Sequence, residues 1–81
     1  MEITEHKTAD MGLAASCMCE SVRYLRVEKD PERERRLLFV FESTPEIARI
    51  ESERANGTHV VSSTAYDEAL RRIKTIIHSV I

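Results

Sequence analysis

Arg36-Leu37-Leu38-Phe39-Val40-Phe41-Glu42, residues 36–42, is the stretch that decides the fold. Read as a strand, it places Leu37, Phe39 and Phe41 on one face and Leu38 and Val40 on the other. A strand apolar on both faces has to be covered on both, which makes it central in its sheet. Upstream, Val22–Glu28 reads as its partner strand, with Arg23, Leu25 and Val27 on one face and Val22, Tyr24 and Arg26 on the other. The intervening KDPERERR run, residues 29–36, turns at Asp30-Pro31 and is too polar to bury. It therefore protrudes as a hairpin loop, and the two strands pair antiparallel.

Helices flank this hairpin. Asp10 is an N-cap for a helix from Met11, which carries Leu13, Ala14 or Ala15, Cys17 and Met18 and ends at Ser21. After the hairpin, Ser43 and Glu46 have capping-box spacing, with Pro45 in the first turn. That helix turns Ile47 and Ile50 inward and stops at Asn56-Gly57, a pair suited to a left-handed cap. Thr58–Ser62, around Val60 and Val61, reads as a short third strand, parallel to the second because a helix connects them. Thr64 and Asp67 form a second capping box before a final helix with Tyr66, Leu70, Ile73, Ile77 and Val80 in a stripe, widened by Ala69 and Ile76. The expectation is one α+β domain over residues 1–81, in the order α-β-β-α-β-α. Its three-stranded sheet contains an antiparallel hairpin and is packed by helices, with residues 1–8 a flexible lead-in.

Composition narrows function more than it selects one. The chain has 81 residues, of which 42% are apolar, enough for one small core. Twelve basic against fourteen acidic residues leave a net charge of −2, which excludes both a DNA-coating protein and an acidic DNA mimic. MEITEHKTAD has no basic region followed by an apolar run, so no secretory signal is expected. The longest apolar stretch, Leu37–Phe41, is far short of a membrane span. A cytoplasmic protein without a membrane partner is expected.

Catalytic chemistry has little to rest on. Cys17 and Cys19 lie too close for an unstrained disulfide, and on a helix they point ~200° apart, which opposes shared metal ligation. His6, His59 and His78 are scattered along the chain, so two partly buried reduced thiols are expected and no metal. Ser16, Cys17 and Cys19 are candidate nucleophiles with His59 or His78 as base, but no nucleophile motif surrounds them. Glu51 and Glu53, interleaved with Arg49 and Arg54, read as a solvated helix face. Gly12 and Gly57 are the only glycines, so no phosphate loop exists. No catalytic residue and no cofactor are expected.

Four segments together resemble a family of small bacterial and phage proteins known only as a domain of unknown function. They are Thr8-Ala9-Asp10 followed by Leu13-Ala14-Ala15; Phe39-Val40-Phe41-Glu42; Asn56-Gly57; and Ala69-Leu70 leading to Arg72 and Lys74. This chain departs from that pattern in carrying Ser16 where an aromatic is common and Ser21 where glycine is common. The resemblance implies a similar fold and a phage or mobile-element setting. It supplies no catalytic residues.

Two functions remain. The leading one is a non-enzymatic protein-interaction module, with Arg33, Arg35, Arg49 and Glu53 as candidate partner-binding residues, because interleaved Arg and Glu specify a complementary protein surface. In the setting the resemblance implies, its partner is a host nucleoprotein complex, such as a CRISPR effector that the chain inhibits. A homodimer is expected, with Tyr66, Ile73, Ile76, Ile77 and Val80 divided between core and interface. The alternative is a single-stranded nucleic-acid-binding accessory protein, in which Tyr24 stacks a base while Arg23 and Arg26 neutralise phosphate.

Overall fold

The 36–42 stretch does form the central strand. The structure, a computed structural model, describes residues 4–80. In chain order it contains β1 (Glu5–Thr8), α1 (Met11–Cys19), β2 (Tyr24–Lys29), β3 (Leu37–Glu42), α2 (Pro45–Asn56) and α3 (Ser63–Val80). The sheet order is β1-β3-β2, and both pairings are antiparallel. The α+β class, the three-stranded sheet and the β2–β3 hairpin are as expected.

The third strand comes from elsewhere. Residues 5–8, expected to be flexible, are β1, whereas Thr58–Ser62 links α2 to α3 without strand pairing and leaves Val60 86% exposed. The described order is therefore β-α-β-β-α-α. An edge strand needs no apolar alternation, because one edge and much of one face stay wet, and charged residues there discourage pairing with other chains. Glu5-His6-Lys7-Thr8 meets that requirement with a polar alternation: His6 and Thr8 lie opposite Phe41 and Phe39, and Glu5 and Lys7 opposite Glu42 and Val40.

The two faces of β3 are covered by different means. Phe39 and Phe41 point into a core with Leu13, Ile47, Ile50 and Ile73, contributed by all three helices. Val40 points the other way, outside that core, yet is fully buried. Its cover is a chain of ion pairs across the three strands: Arg26 grips Glu5 at 2.6 and 2.8 Å, Arg26 Nε donates to Glu28 at 2.8 Å, and Lys7 Nζ donates to Glu28 at 2.9 Å. The aliphatic stems of these side chains supply apolar cover while their heads stay in water. The single chain thus covers both faces of β3, leaving only Met11 and Val60 as exposed large apolar side chains among the described residues.

β2 departs from strict alternation. Its register with β3 shifts between Tyr24 and Arg26, so Tyr24 lies opposite Phe41, Arg26 opposite Val40 and Val27 opposite Phe39. Leu25 is the extra residue of a bulge. Tyr24 and Val27 consequently share the helix-covered face, and Arg26 occupies the other.

Helix ends follow the sequence in part. Asp10 Oδ1 accepts from the Gly12 and Leu13 amides at 2.9 and 3.1 Å, as expected. The two expected capping boxes do not form. Extended Thr44 (φ −137°) is the N-cap of α2 and sets Pro45 at its first position, which puts Ser43 outside the helix, where its amide bonds to the Thr4 carbonyl at 2.8 Å. Thr44 Oγ1 is buried without a hydrogen-bond partner among the described residues. α3 starts at Ser63, so Ser62 Oγ, rather than Thr64, accepts a first-turn amide, that of Ala65 at 3.4 Å.

Candidate functional site

Two charged regions stand out. The first is the β2–β3 loop. Asp30 closes its base, donating its amide to the Arg36 carbonyl at 2.9 Å and pairing its carboxylate with Arg36 Nε at 3.2 Å. Within the loop, the Arg36 amide bonds to the Arg33 carbonyl at 3.4 Å, and Arg35 sits at φ 68°. That is the third position of a turn, the conformation that favours glycine. Between this loop and the end of α3 lies a cleft of about 860 Å³, with Leu37, Ile77 and Val80 as its apolar side. Lys29, Arg33 and Arg35 line it together with Glu32 and Glu34. Among the described residues, Arg33 and Arg35 have no carboxylate within ion-pair distance, unlike Arg36.

The second region is the corner where α1 ends against α2. Arg49 donates to three carboxylates: Glu20 at 2.8 Å, Glu46 at 3.0 Å and Glu53 at 2.9 Å. The same Glu20 oxygen lies 3.1 Å from His59 Nε2, and the His59 side chain is only 7% exposed. Hydrogen bonds from Arg49 and then His59 hold the Glu20 carboxyl below its ordinary value. The ligating atoms of Glu20, Glu53 and His59 lie within 4.8 Å of one another, a grouping that can hold a metal ion. Arg49, bonded to both carboxylates, already supplies a cation there. Sequence reading missed this cluster because its members are remote along the chain, and only the packing of the end of α1 and the 58–62 link against α2 assembles them.

The predicted residues therefore divide. Arg33 and Arg35 line the cleft, whereas Arg49 and Glu53 are bonded to each other and to the corner. Tyr24 and Arg26 do not come together. Tyr24 packs edge-on against Phe41 with ring centroids 5.7 Å apart, and Arg26 is held by Glu5 and Glu28 on the opposite face. The bulge at Leu25 separates them, so the stacking face expected of Arg23, Tyr24 and Arg26 is not assembled; Arg23 is exposed just before β2.

None of the candidate nucleophiles hydrogen-bonds a histidine. Ser16 is fully buried and accepts from Arg54 at 2.9 Å. Cys17 and Cys19 are free thiols, and burial raises the first to about 11 and the second above its ordinary value. Such thiols are poor nucleophiles at neutral pH. His78 is exposed in the last turn of α3.

Fold and surface together define a small α+β domain with helices on one face of an antiparallel sheet and an ion-pair roof on the other. The chain belongs to the family described as Domain of unknown function (DUF5659), whose model matches residues 4–79. No curated protein and no solved structure matches it. No helix among the described residues is long and apolar enough to cross a membrane.

Proposed function

We propose that this chain is a non-enzymatic protein-interaction module that docks an acidic segment of another protein in the cleft between the β2–β3 loop and α3. The observation that carries this reading is the pairing pattern. Arg33 and Arg35 line an apolar-walled cleft without carboxylate partners among the described residues, whereas Arg26, Arg36 and Arg49 are each matched to carboxylates. Charge complementarity therefore selects an acidic segment, and Leu37, Ile77 and Val80 select an apolar anchor within it. Arg35 adds support. A non-glycine residue held at φ 68° is strained, and strained positions cluster at binding sites. Glu32 and Glu34 line the same cleft and select basic residues interspersed in the docked segment, which a uniformly anionic strand of nucleic acid does not offer.

The phage or mobile-element setting, with inhibition of a host defence complex such as a CRISPR effector, rests on the resemblance alone and selects the first lysate to test. A photo-crosslinker at Leu37 in the full chain, followed by mass spectrometry, identifies what fills the cleft. The expected product is an acidic segment of another protein, with crosslinking lost on joint Arg33→Glu and Arg35→Glu substitution. Crosslinking to a second copy, with a solution mass twice 9.3 kDa that collapses in the same variant, would assign the cleft to a homodimer instead. Salt-sensitive binding to single-stranded DNA with no protein crosslink would overturn the reading.

A further inference from the structure

We propose that the pocket lined by Ser16, Arg54, Gly57, His59, Val61 and Tyr66 binds a small organic oxyanion, a carboxylate or a phosphate ester, through Arg54. This pocket, about 340 Å³, is distinct from the loop cleft. Two of its polar side chains are nearly inaccessible: Ser16 is fully buried, and the His59 side chain is 7% exposed. Arg54, in the last turn of α2, reaches across to α1 and donates Nη1 to Ser16 Oγ at 2.9 Å. A guanidinium has five N–H donors in a planar fork, and this bond uses one. Among the described residues, Arg54 has no carboxylate within ion-pair distance, whereas Arg49, five residues earlier on the same helix, has three.

The seat of the guanidinium is built into α1. A Cβ on Gly12 would lie 2.5 Å from Arg54 Nη2, so the missing side chain is what lets the fork lie against the first turn of that helix. Asp10 is nearby, its Oδ1 3.2 Å from the same point, but that oxygen caps the Gly12 and Leu13 amides and forms no ion pair with Arg54. Glu20, behind His59, is matched by Arg49. The positive charge of Arg54 therefore faces the pocket unmatched, with Asp10 and Glu20 both engaged by other donors. Val61 and Tyr66 complete the wall and favour an anion carrying an apolar or aromatic body.

Titration of the isotope-labelled full chain with phenyl phosphate, benzoate and neutral benzamide, followed by amide NMR, tests this. Saturable shifts at Ser16, Gly57 and His59 are expected with an anion and not with benzamide. Saturation by phenyl phosphate alone assigns a phosphate ester, and by benzoate alone a carboxylate. Arg54→Gln is expected to weaken binding at least about tenfold while the remaining amide spectrum stays folded. Gly12→Ala, which puts a methyl group where Nη2 lies, is expected to weaken binding too while leaving helix α1 intact. That separates a ligand role for Arg54 from a merely structural bond to Ser16. Absence of saturation by both anions, an equal response to benzamide, or full affinity in folded Arg54→Gln would overturn the proposal.

Discussion

The loop at residues 29–36 and the α1–α2 corner draw on the same residue types, Arg and Glu in close alternation, and end in opposite electrostatic states. At the corner, Glu46, Arg49 and Glu53 are spaced three and four apart on a helix, so their side chains meet by geometry alone. Glu20 and His59 then join from neighbouring segments. In the loop no such period operates. Asp30 and Arg36 pair across its base, and the residues between them point where a tight turn leaves them. Alternating charge is thus a stabilising crosslink at the corner and an unmatched surface in the loop. The loop's charges stay available to a protein partner, whereas those of Arg49 do not.

The sharpest way to break this contrast is through stability. Glu20→Ala leaves the nearly buried His59 imidazole without its partner, so a loss of about 1–3 kcal/mol is expected from urea unfolding. Arg33→Glu with Arg35→Glu should change stability by no more than about 0.5 kcal/mol per site, as exposed positions normally do. Equal losses in the two variants would erase the distinction. The same loop variant should reverse the ranking in binding, weakening crosslinked capture at least about tenfold, or about 1.4 kcal/mol. Arg49→Gln should leave capture unchanged, because its donors already serve Glu20, Glu46 and Glu53.

Acid titration sharpens the comparison further. Hydrogen bonds from Arg49 and then His59 depress the Glu20 carboxyl, Arg26 depresses Glu5, and Lys7 with Arg26 depresses Glu28. A carboxylate lower in the folded than in the unfolded state adds stability that is complete above its unfolded value. That stability is lost as pH falls through its folded value. Unfolding midpoints should therefore drop as the pH goes below the ordinary carboxylate value of about 4.3. Glu20→Gln should make this drop shallower, whereas the loop substitutions should leave its slope unaltered. An unchanged slope in Glu20→Gln would deny the corner its role.

What the sequence disclosed follows the same division between local and assembled features. The two-sided apolar run at Leu37–Phe41 marked the central strand, and the stripe through Leu70, Ile73 and Ile77 marked α3, because periodicity is a local property. β1 was illegible: Glu5-His6-Lys7-Thr8 has no apolar residue, and its pairing exists only because β3 offers an open edge. The Val60-Val61 pair misled for the converse reason: β propensity alone makes no strand, and the 58–62 link pairs with neither outer edge of the sheet. The bulge at Leu25 carries no glycine or proline to announce it, and it alone separates Tyr24 from Arg26. At the candidate sites, the loop arginines were visible as a charged run. Glu20 with His59, and Ser16 with Arg54, are joined only by tertiary packing.

The smallest effect compares two helix ends with the same hydrogen bonds. At the end of α1, the Val22 amide bonds to the Cys17 carbonyl at 3.0 Å and the Ser21 amide to the Met18 carbonyl at 3.3 Å. At the end of α2, the Thr58 amide bonds to the Glu53 carbonyl at 2.8 Å and the Gly57 amide to the Arg54 carbonyl at 3.2 Å. Both are Schellman motifs, and both require a left-handed residue, at φ 63° for Ser21 and φ 70° for Gly57. Only Gly57 adopts that conformation without a Cβ penalty. Ser21 is exposed and makes no side-chain hydrogen bond among the described residues, so Ser21→Gly should stabilise the chain by about 1 kcal/mol. A Cβ at Gly57 would meet nothing within 4 Å, so Gly57→Ala should cost about the same through backbone conformation alone. Arg35, at φ 68° in the loop, is the third case: Arg35→Gly should also raise the urea midpoint, but with loss of capture. A stabilised Arg35→Gly variant that still binds the partner segment would show that the strain serves nothing, and would remove Arg35 from the docking site.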